Sequence, residues 1–313
     1  MASAIAYTEF GGPEVLRLIE VELPALAAGQ LAVRVEAAGV NPIDWKLRAG
    51  LRASDPLTGP RRIGADAAGV VTAVGSDVDG FRVGDAVVVF GAAGAYASEI
   101  VVRTESVQPR PPQVSAAQGA ALGIPVGTAY QALRSLAVGP SDTVLVHGGS
   151  GSVGRAAIQF AVLWGATVVA TSSERRFDTV RALGATPVAY GEGLAGRIRN
   201  LAPQGVTVAL DVAGTDEAIE TSLELVADRE RIATLVRGRD AASFGIRAFS
   251  GGGPKPLTQR EQAWRRQALP VTIALLAARR FSVELGPSFP LADAPAAHQA
   301  VQDGTDGKVT LVP

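Results

Sequence analysis

The sequence predicts an α/β chain in which a strand-rich, barrel-like part surrounds, in chain order, a second part built of parallel βαβ units. Three observations carry the prediction. The first third consists of short runs that alternate apolar and polar residues, or are β-branched throughout, between glycine-rich turns. From about Gly123, apolar strand-like runs alternate with helical segments, the pattern of parallel strands joined by crossover helices. Beyond Arg280 a strand, a helix and a last strand follow, suited to completing the first part.

Element by element, Leu31 to Glu36 alternates, Gly69 to Val74 is apolar, and Asp85 to Phe90 is β-branched and apolar. Turns such as Gly11-Gly12-Pro13 and Val83-Gly84-Asp85 separate these strands. In the second part the expected strands are Thr143 to His147, Thr167 to Thr171, Pro187 to Tyr190, Val206 to Val212 and Arg231 to Val236. One helix between them is well marked. Val153, Ala156, Ala157, Phe160, Ala161 and Trp164 recur at helical spacing as one apolar stripe, and Gly165 ends it. A basic helix follows Pro256, with Arg260, Arg265, Arg266, Arg279 and Arg280 around the apolar segment Ala268 to Ala278. Its charges are expected to form a solvated face. A strand around Phe281 to Leu285, a helix near Asp293 to Gln302 and a strand at Lys308 to Val312 close the chain.

At 313 residues the chain has room for about two domains. With 30 acidic and 29 basic residues the net charge is −1, so no net basic field gathers nucleic acid or anionic lipid. No nucleic-acid partner is expected. There is no Cys, which removes disulfides, zinc-thiolate sites, iron–sulfur clusters and thiol nucleophiles. Only His147 and His298 remain as soft metal ligands, and both are read as structural: His147 as a hydrogen-bonded core residue, His298 as a helix-surface or domain-contact residue. No metal is expected. No apolar run of about 18 residues occurs, and the opening MASAIAYTEF lacks a basic head before an apolar stretch. A soluble, cytoplasmic protein without membrane association is the expectation.

The most informative segment is TVLVHGGSGSVG, Thr143 to Gly154, where a strand runs into Gly148, Gly151 and Gly154 and then into the amphipathic helix. Glycines there let backbone N–H groups approach a pyrophosphate, and the helix N-terminus favours its negative charge. Inside a repeated βα pattern this is the dinucleotide-binding signature of a Rossmann, doubly wound domain. Which dinucleotide binds depends on the end of the second strand. That strand ends in Thr171-Ser172-Ser173 rather than an acid, and Arg175 and Arg176 follow, suited to a ribose 2′-phosphate. NADP(H) is the expected cofactor, with Glu174 the residue that argues for NAD and Ser172 and Ser173 also readable as a helix N-cap.

These features, together with FGGPEVL (10–16), AAGVNPID (37–44), GADAAGVV (64–71), VGD (83–85), GTAYQAL (127–133), LGA (183–185), LDVAG (210–214) and GKVTLV (307–312), resemble the medium-chain dehydrogenase/reductase superfamily, in particular its zinc-independent quinone oxidoreductase branch. The motifs stand in the family's order over essentially the whole length. The resemblance implies a GroES-like catalytic domain at 1–122 and 281–313, an inserted Rossmann coenzyme domain at 123–280, and an active cleft between them. Zinc alcohol dehydrogenases carry a Cys where Asn41 stands and a His–Glu pair where Ala65-Asp66 stands. Without a Lewis acid, hydride delivery to a conjugated acceptor, a quinone or an α,β-unsaturated carbonyl, is the better chemical fit.

Residue by residue, the resemblance puts Asn41 beside nicotinamide and substrate, Thr128 at the nicotinamide end, and Gly148, Gly151, Ser152, Val153 and Gly154 around the pyrophosphate. It puts Ser172, Arg175 and Tyr190 toward the adenosine phosphate, with Val236 also lining the cofactor. Plainer readings stand beside these: a turn Asn for Asn41, a helix cap for Thr128, a strand-end tyrosine for Tyr190. Asp44 is expected to anchor its own loop and Asp66 to pack against neighbouring loops. Lys46 and Arg52 occupy positions where related quinone oxidoreductases often carry aromatics, and are either solvated or bind a polar or anionic acceptor. Trp45 and Phe249, with Phe244 and Trp264, are candidate apolar walls. The expected partner is a small electrophilic acceptor, and the expected assembly a homodimer paired through a strand edge near Phe244 to Ser250. An enoyl-thioester reductase and a non-catalytic NADP-binding redox sensor are the alternative functions.

Overall fold

The structure, a computed structural model, describes residues 1–52, 54–249 and 255–313. The strands are β1 (Ala2–Tyr7), β2 (Arg17–Val21), β3 (Gln30–Gly39), β4 (Arg61–Arg62), β5 (Asp66–Val74), β6 (Ala86–Val89), β7 (Glu99–Arg103), β8 (Val107–Pro109), β9 (Thr143–His147), β10 (Thr167–Ser172), β11 (Thr186–Ala189), β12 (Val208–Asp211), β13 (Ile232–Thr234), β14 (Arg247–Ala248), β15 (Leu285–Pro290) and β16 (Lys308–Val312). The helices are α1 (Pro42–Arg48), α2 (Ala116–Ala120), α3 (Gly123–Ser135), α4 (Ser152–Leu163), α5 (Phe177–Ala182), α6 (Leu194–Leu201), α7 (Asp216–Leu225), α8 (Ala241–Phe244), α9 (Gln259–Ala277) and α10 (Ala294–Gln302).

Two compact units result, Met1–Ile124 with Leu269–Pro313, and Pro125–Ala268. Where the sequence suggested crossings at 122/123 and 280/281, the chain passes between units at 124/125 and 268/269, the second inside α9. Pro270, beside this second crossing, is kept inside the helix, so no loop marks the boundary.

In the first unit β3 is the organising strand. Its ten residues pair with β5 on one side, and on the other with β7 and then β16. The sheet runs β15-β16-β3-β5-β6-β8, and β1 forms a second sheet between β2 and β4. Ile5, Leu31, Val33, Val71, Val87, Val89, Ile100 and Leu311 fill the core between them. Each such burial contributes about 1.5–3 kcal/mol. The strand expected around Phe281 to Leu285 is instead β15, starting at Leu285. Phe281 is buried outside any strand. Pro287 and Pro290, which argue against a strand, are tolerated because β15 lies at the sheet's edge and pairs with β16 alone.

In the second unit the sheet is parallel, in the order β11-β10-β9-β12-β13-β14. All five residues of β9 are buried, as expected for a central strand covered on both faces. The order reverses at β9, with β10 on one side and β12 on the other, and this switch opens a crevice at the C-terminal ends of the strands. Burial on α4 is wider than one stripe, because Ile158 and Gln159 are also covered. The edge strand expected over Phe244 to Ser250 shrinks to two residues. Phe244 ends α8, Gly245 at φ 67° stops that helix, β14 follows, and Ser250 lies outside the described residues.

Candidate functional site

The loop after β9 is pinned to β10 from two directions. Thr171 Oγ1 accepts from Gly148 N at 3.0 Å, and Thr171 O accepts from Gly149 N at 2.9 Å. Three of its glycines are required by the fold itself. Gly148 has φ +78°, a Cβ on Gly149 would stand 2.7 Å from Ala170 Cβ, and one on Gly154 would stand 2.2 Å from Gly148 O. Gly151 is different. It is the N-cap of α4 with φ −76°, and a Cβ there would meet only Gly148 O, at 3.7 Å. The fold has room for a side chain at Gly151, and Ser or Asp would cap the helix better. The first intrahelical acceptor bond is made by Arg155 N to Gly151 O at 2.8 Å, so the N–H groups of Ser152, Val153 and Gly154 head the helix as an anion-binding end.

The neighbouring strand ends are equally built. Asp211, fully buried at the end of β12, accepts from Ala213 N at 2.9 Å and Gly214 N at 2.7 Å, and takes the Thr234 hydroxyl on its other oxygen at 2.7 Å. Thr234 Oγ1 in turn accepts from Val236 N at 3.1 Å, which sets Val236 over Gly214 at this edge. At the end of β11, Tyr190 is 61% exposed, while Arg197 holds the loop beneath it by donating to Ala189 O and Gly191 O at 2.9 and 2.8 Å. Ser172 is buried and its hydroxyl donates to Ser173 O at 3.2 Å, so its readiness to meet a phosphate is less than expected. Arg175 and Glu174 are exposed in the turn that follows. Thr171, Asp211 and Arg197 were missed by sequence reading, because loop-pinning side chains carry no pattern of their own.

His147 is a core residue, as expected. Its Nε2 lies 3.1 Å from Ser222 Oγ, whose hydroxyl donates to Ala218 O at 2.7 Å, an arrangement that puts the ring proton on Nε2. Burial draws its pKa down to about 4, so it is neutral. Two expectations for this unit need correction. Arg265 does not belong to a merely solvated face, since it donates to the Thr128 hydroxyl from α9. Thr128 therefore has its oxygen already engaged. Phe249, expected as a substrate wall, is 5% exposed and lies under the Arg247 guanidinium at 4.8 Å from its ring centre.

In the first unit the chemistry gathers around Asn41, which is 1% exposed. Its Nδ2 donates to Asp66 Oδ2 at 2.9 Å and to Gly39 O at 3.3 Å, and its Oδ1 accepts from the Lys308 ammonium. Asp66 Oδ2 also accepts from Ile124 N, at 2.9 Å, at the start of α3. Asp44 Oδ2 takes Asn41 N at 2.8 Å and the Tyr96 hydroxyl at 2.7 Å, so Asp44 does anchor its own loop. Burial raises the Asp44 carboxyl to about 6. Burial also lowers the Lys308 ammonium, with Asp66 and Asp44 opposing. Both Asn41 amide protons are thus engaged within this unit, by Asp66 and Gly39. Lys308 was missed, although it is the one cation in the apolar run KVTLV. His298 is likewise not at a surface but fully buried. Lys46 lies over the Trp45 ring at 5.5 Å, and its pKa is lowered by burial and then by the Arg52 charge, which brings these three residues together.

A zinc ion does not suit these residues. The positions of its family ligands are taken by Asn41, Ala65 and Asp66, and the Lys308 ammonium already sits against Asn41. Among the described residues no group of three His, Asp or Glu is placed to hold a metal ion.

Residues 27–112 match the alcohol dehydrogenase GroES-like domain family, and residues 152–250 match the zinc-binding dehydrogenase family. A solved mycobacterial quinone oxidoreductase is 31% identical, with a TM-score of 0.80 and full coverage of both chains. The chain belongs to the quinone oxidoreductase branch of the medium-chain dehydrogenase/reductase superfamily. Its first unit is therefore the GroES-like part and its second the Rossmann-like part of this family. The Escherichia coli quinone oxidoreductase, solved complexed with NADPH, is 27% identical with a TM-score of 0.84, covering 99% of this chain and 100% of that one. A chloroplastic quinone-oxidoreductase homolog of Spinacia oleracea is 40% identical over 196 residues, 59% of this chain. Across such curated relatives the matched stretch spans between 48% and 60% of their length.

Proposed function

We propose that the chain is an NADPH-dependent, zinc-free oxidoreductase that reduces a quinone or an α,β-unsaturated carbonyl. The observation that carries this reading is Gly151: a glycine that neither φ nor crowding requires, at the head of α4, where a ligand's close approach accounts for the missing side chain. NADPH fits the residues present. The N–H groups of Ser152, Val153 and Gly154 would hold the pyrophosphate, Val236 and Tyr190 would line it at the strand ends, and the exposed Arg175 would meet the 2′-phosphate. When bound, this cofactor supplies the hydride.

What the chain itself contributes is placement. The Asp211–Thr234 pair fixes the loops after β12 and β13, and Thr128, oriented by Arg265, supports the nicotinamide end. In the first unit the Asn41–Asp66–Lys308 network holds the loop leading into α1; Trp45 and Lys46 on α1 and Arg52 in the segment after it are the acceptor-binding set. The relatives' names support a quinone, and the two cations favour a polar or anionic one.

Calorimetric titration tests the cofactor assignment. NADPH binds more tightly than NADH, and Arg175→Ala narrows the gap by about ten- to a hundredfold, the worth of a charge-assisted hydrogen bond to phosphate. Equal or tighter NADH binding by the unaltered chain contradicts it. We also assign a homodimer paired through the open edge at β14. Light scattering reports twice the 32.0 kDa chain mass if this is right, and the chain mass itself if it is not.

A further inference from the structure

The second unit carries a stack of rings and guanidiniums that no step of the proposed reaction uses. It starts in the core at Phe160, which is 1% exposed. Trp164, the C-cap of α4, stacks on Phe160 at 6.0 Å and meets Tyr130 edge-on at 5.2 Å. The Arg134 guanidinium, in the last turn of α3, lies over Trp164 at 5.7 Å and over Trp264 of α9 at 5.9 Å. Arg260, one turn before Trp264, lies over that same ring at 4.9 Å. Trp264, expected as an apolar wall, thus carries two cations. All of these residues belong to the second unit, and the twelve residues of α4 put Trp164 about 18 Å from the glycine loop.

Burial falls along the stack. Both tryptophans are half-buried, while Arg134 and Arg260 are exposed, as is Leu163 beside Trp164. Among the described residues neither arginine makes a hydrogen bond or an ion pair. The adjacent carboxylate, Glu261, is committed elsewhere, since its Oε2 accepts from Thr258 N at 2.8 Å and from the Thr258 hydroxyl at 2.9 Å. Nor does α9 itself call for Arg260, because a cation in a first turn opposes the helix dipole. Stacking on a ring fixes the plane of a guanidinium and leaves its edge N–H groups able to hold a carboxylate two at a time. Two such forks, placed in advance and unused, stand on one exposed surface.

We propose that Arg134 and Arg260, held on Trp264, form a docking surface for an extended acidic peptide segment of a partner protein. Both guanidinium carbons lie within 5.9 Å of one ring centre, so acidic side chains on one side of an extended segment, about 7 Å apart, reach them together. Arginine ordered on tryptophan is also the composition of interface hot spots, and groups already in place lose little freedom on binding. Single-stranded nucleic acid fits less well. Both tryptophans are already covered by guanidiniums, and a net charge of −1 supplies no field for a long polyanion.

The test is titration of the full chain at low ionic strength with an end-blocked hexaglutamate peptide, followed by tryptophan fluorescence, since two of the three tryptophans lie in the stack. A saturable change is expected. Arg134→Gln and Arg260→Gln each weaken binding about tenfold or more. Arg260→Lys, which keeps the charge and loses the fork, weakens it as well. Arg239→Gln, at an exposed arginine elsewhere in the unit, leaves it unchanged. If Arg134→Gln does not fold, Arg260→Gln, exposed in the first turn of α9, decides alone. No saturable change up to millimolar peptide overturns the proposal, as does unaltered affinity in Arg260→Gln. Equal weakening by Arg239→Gln overturns it too, since the attraction is then diffuse. Tighter binding of an oligothymidylate of equal charge assigns the surface to nucleic acid instead.

Discussion

Asn41 joins three elements through one carboxamide: Asp66 on β5, Gly39 on β3 and Lys308 on β16. Asn41→Ala leaves a buried ammonium and a buried carboxylate each short of a partner, at about 1.5–3 kcal/mol apiece. Urea denaturation should therefore show a loss of at least about 2 kcal/mol, accompanied by lower turnover; an unchanged stability contradicts the network. Asp44 gives a second test at this scale. Its carboxyl is raised to about 6 from an ordinary 3.8, so the folded chain holds that proton more tightly than the unfolded one. The resulting stabilisation is complete below about pH 4 and disappears as pH rises through 6, amounting to about 3 kcal/mol. His147 and His298, held low, act in the opposite sense and weaken the fold as pH falls below 6.5. The stability difference between the unaltered chain and Asp44→Asn isolates the carboxyl from both histidines. That difference should shift between pH 4 and 6, and a constant difference refutes the assignment. Asp66 and Lys308 are far from Asn41 in sequence, which is why the role of Asn41 was legible only as a family position and Lys308 was not legible at all.

Helices and strands follow the sequence where local pattern and packing agree. The strands Thr143–His147 and Lys308–Val312 coincide with the apolar, β-branched runs that predict them, because turn residues bound both. β15 departs from prediction because its prolines are acceptable only on an edge, and edge position is a property of the sheet. Arg265 departs because a helical wheel separates charged from apolar faces but does not show which charge finds a hydroxyl. The glycine loop was legible in place and purpose, though not in the division of labour among its glycines. Gly154→Ala forces a Cβ into Gly148 O and should destabilise the chain by about 1–3 kcal/mol. Gly151→Ser, which keeps a good N-cap, should leave thermal stability within about 0.5 kcal/mol and still weaken NADPH binding. Equal effects of the two substitutions on stability would show that Gly151 is structural.

At the scale of the whole molecule, the sequence indicated a strand-rich part that is left and re-entered and a parallel part inserted between, and the family comparisons place both. The crossing inside α9 was hidden because the helix runs through it, Pro270 included, without a loop, and the acceptor is not written in any motif. No helix among the described residues is long and apolar enough to cross a membrane. The central claim is hydride delivery from NADPH to a conjugated acceptor, and rapid mixing tests it most directly. The chain is loaded with NADPH, mixed with quinones, enals or enoyl thioesters, and followed by the loss of reduced-nicotinamide absorbance in a single turnover. The account predicts rapid oxidation by a quinone or an enal, faster from NADPH than from NADH and unaffected by chelator. Tight NADPH binding with no oxidation by any quinone or enal of the panel would contradict it.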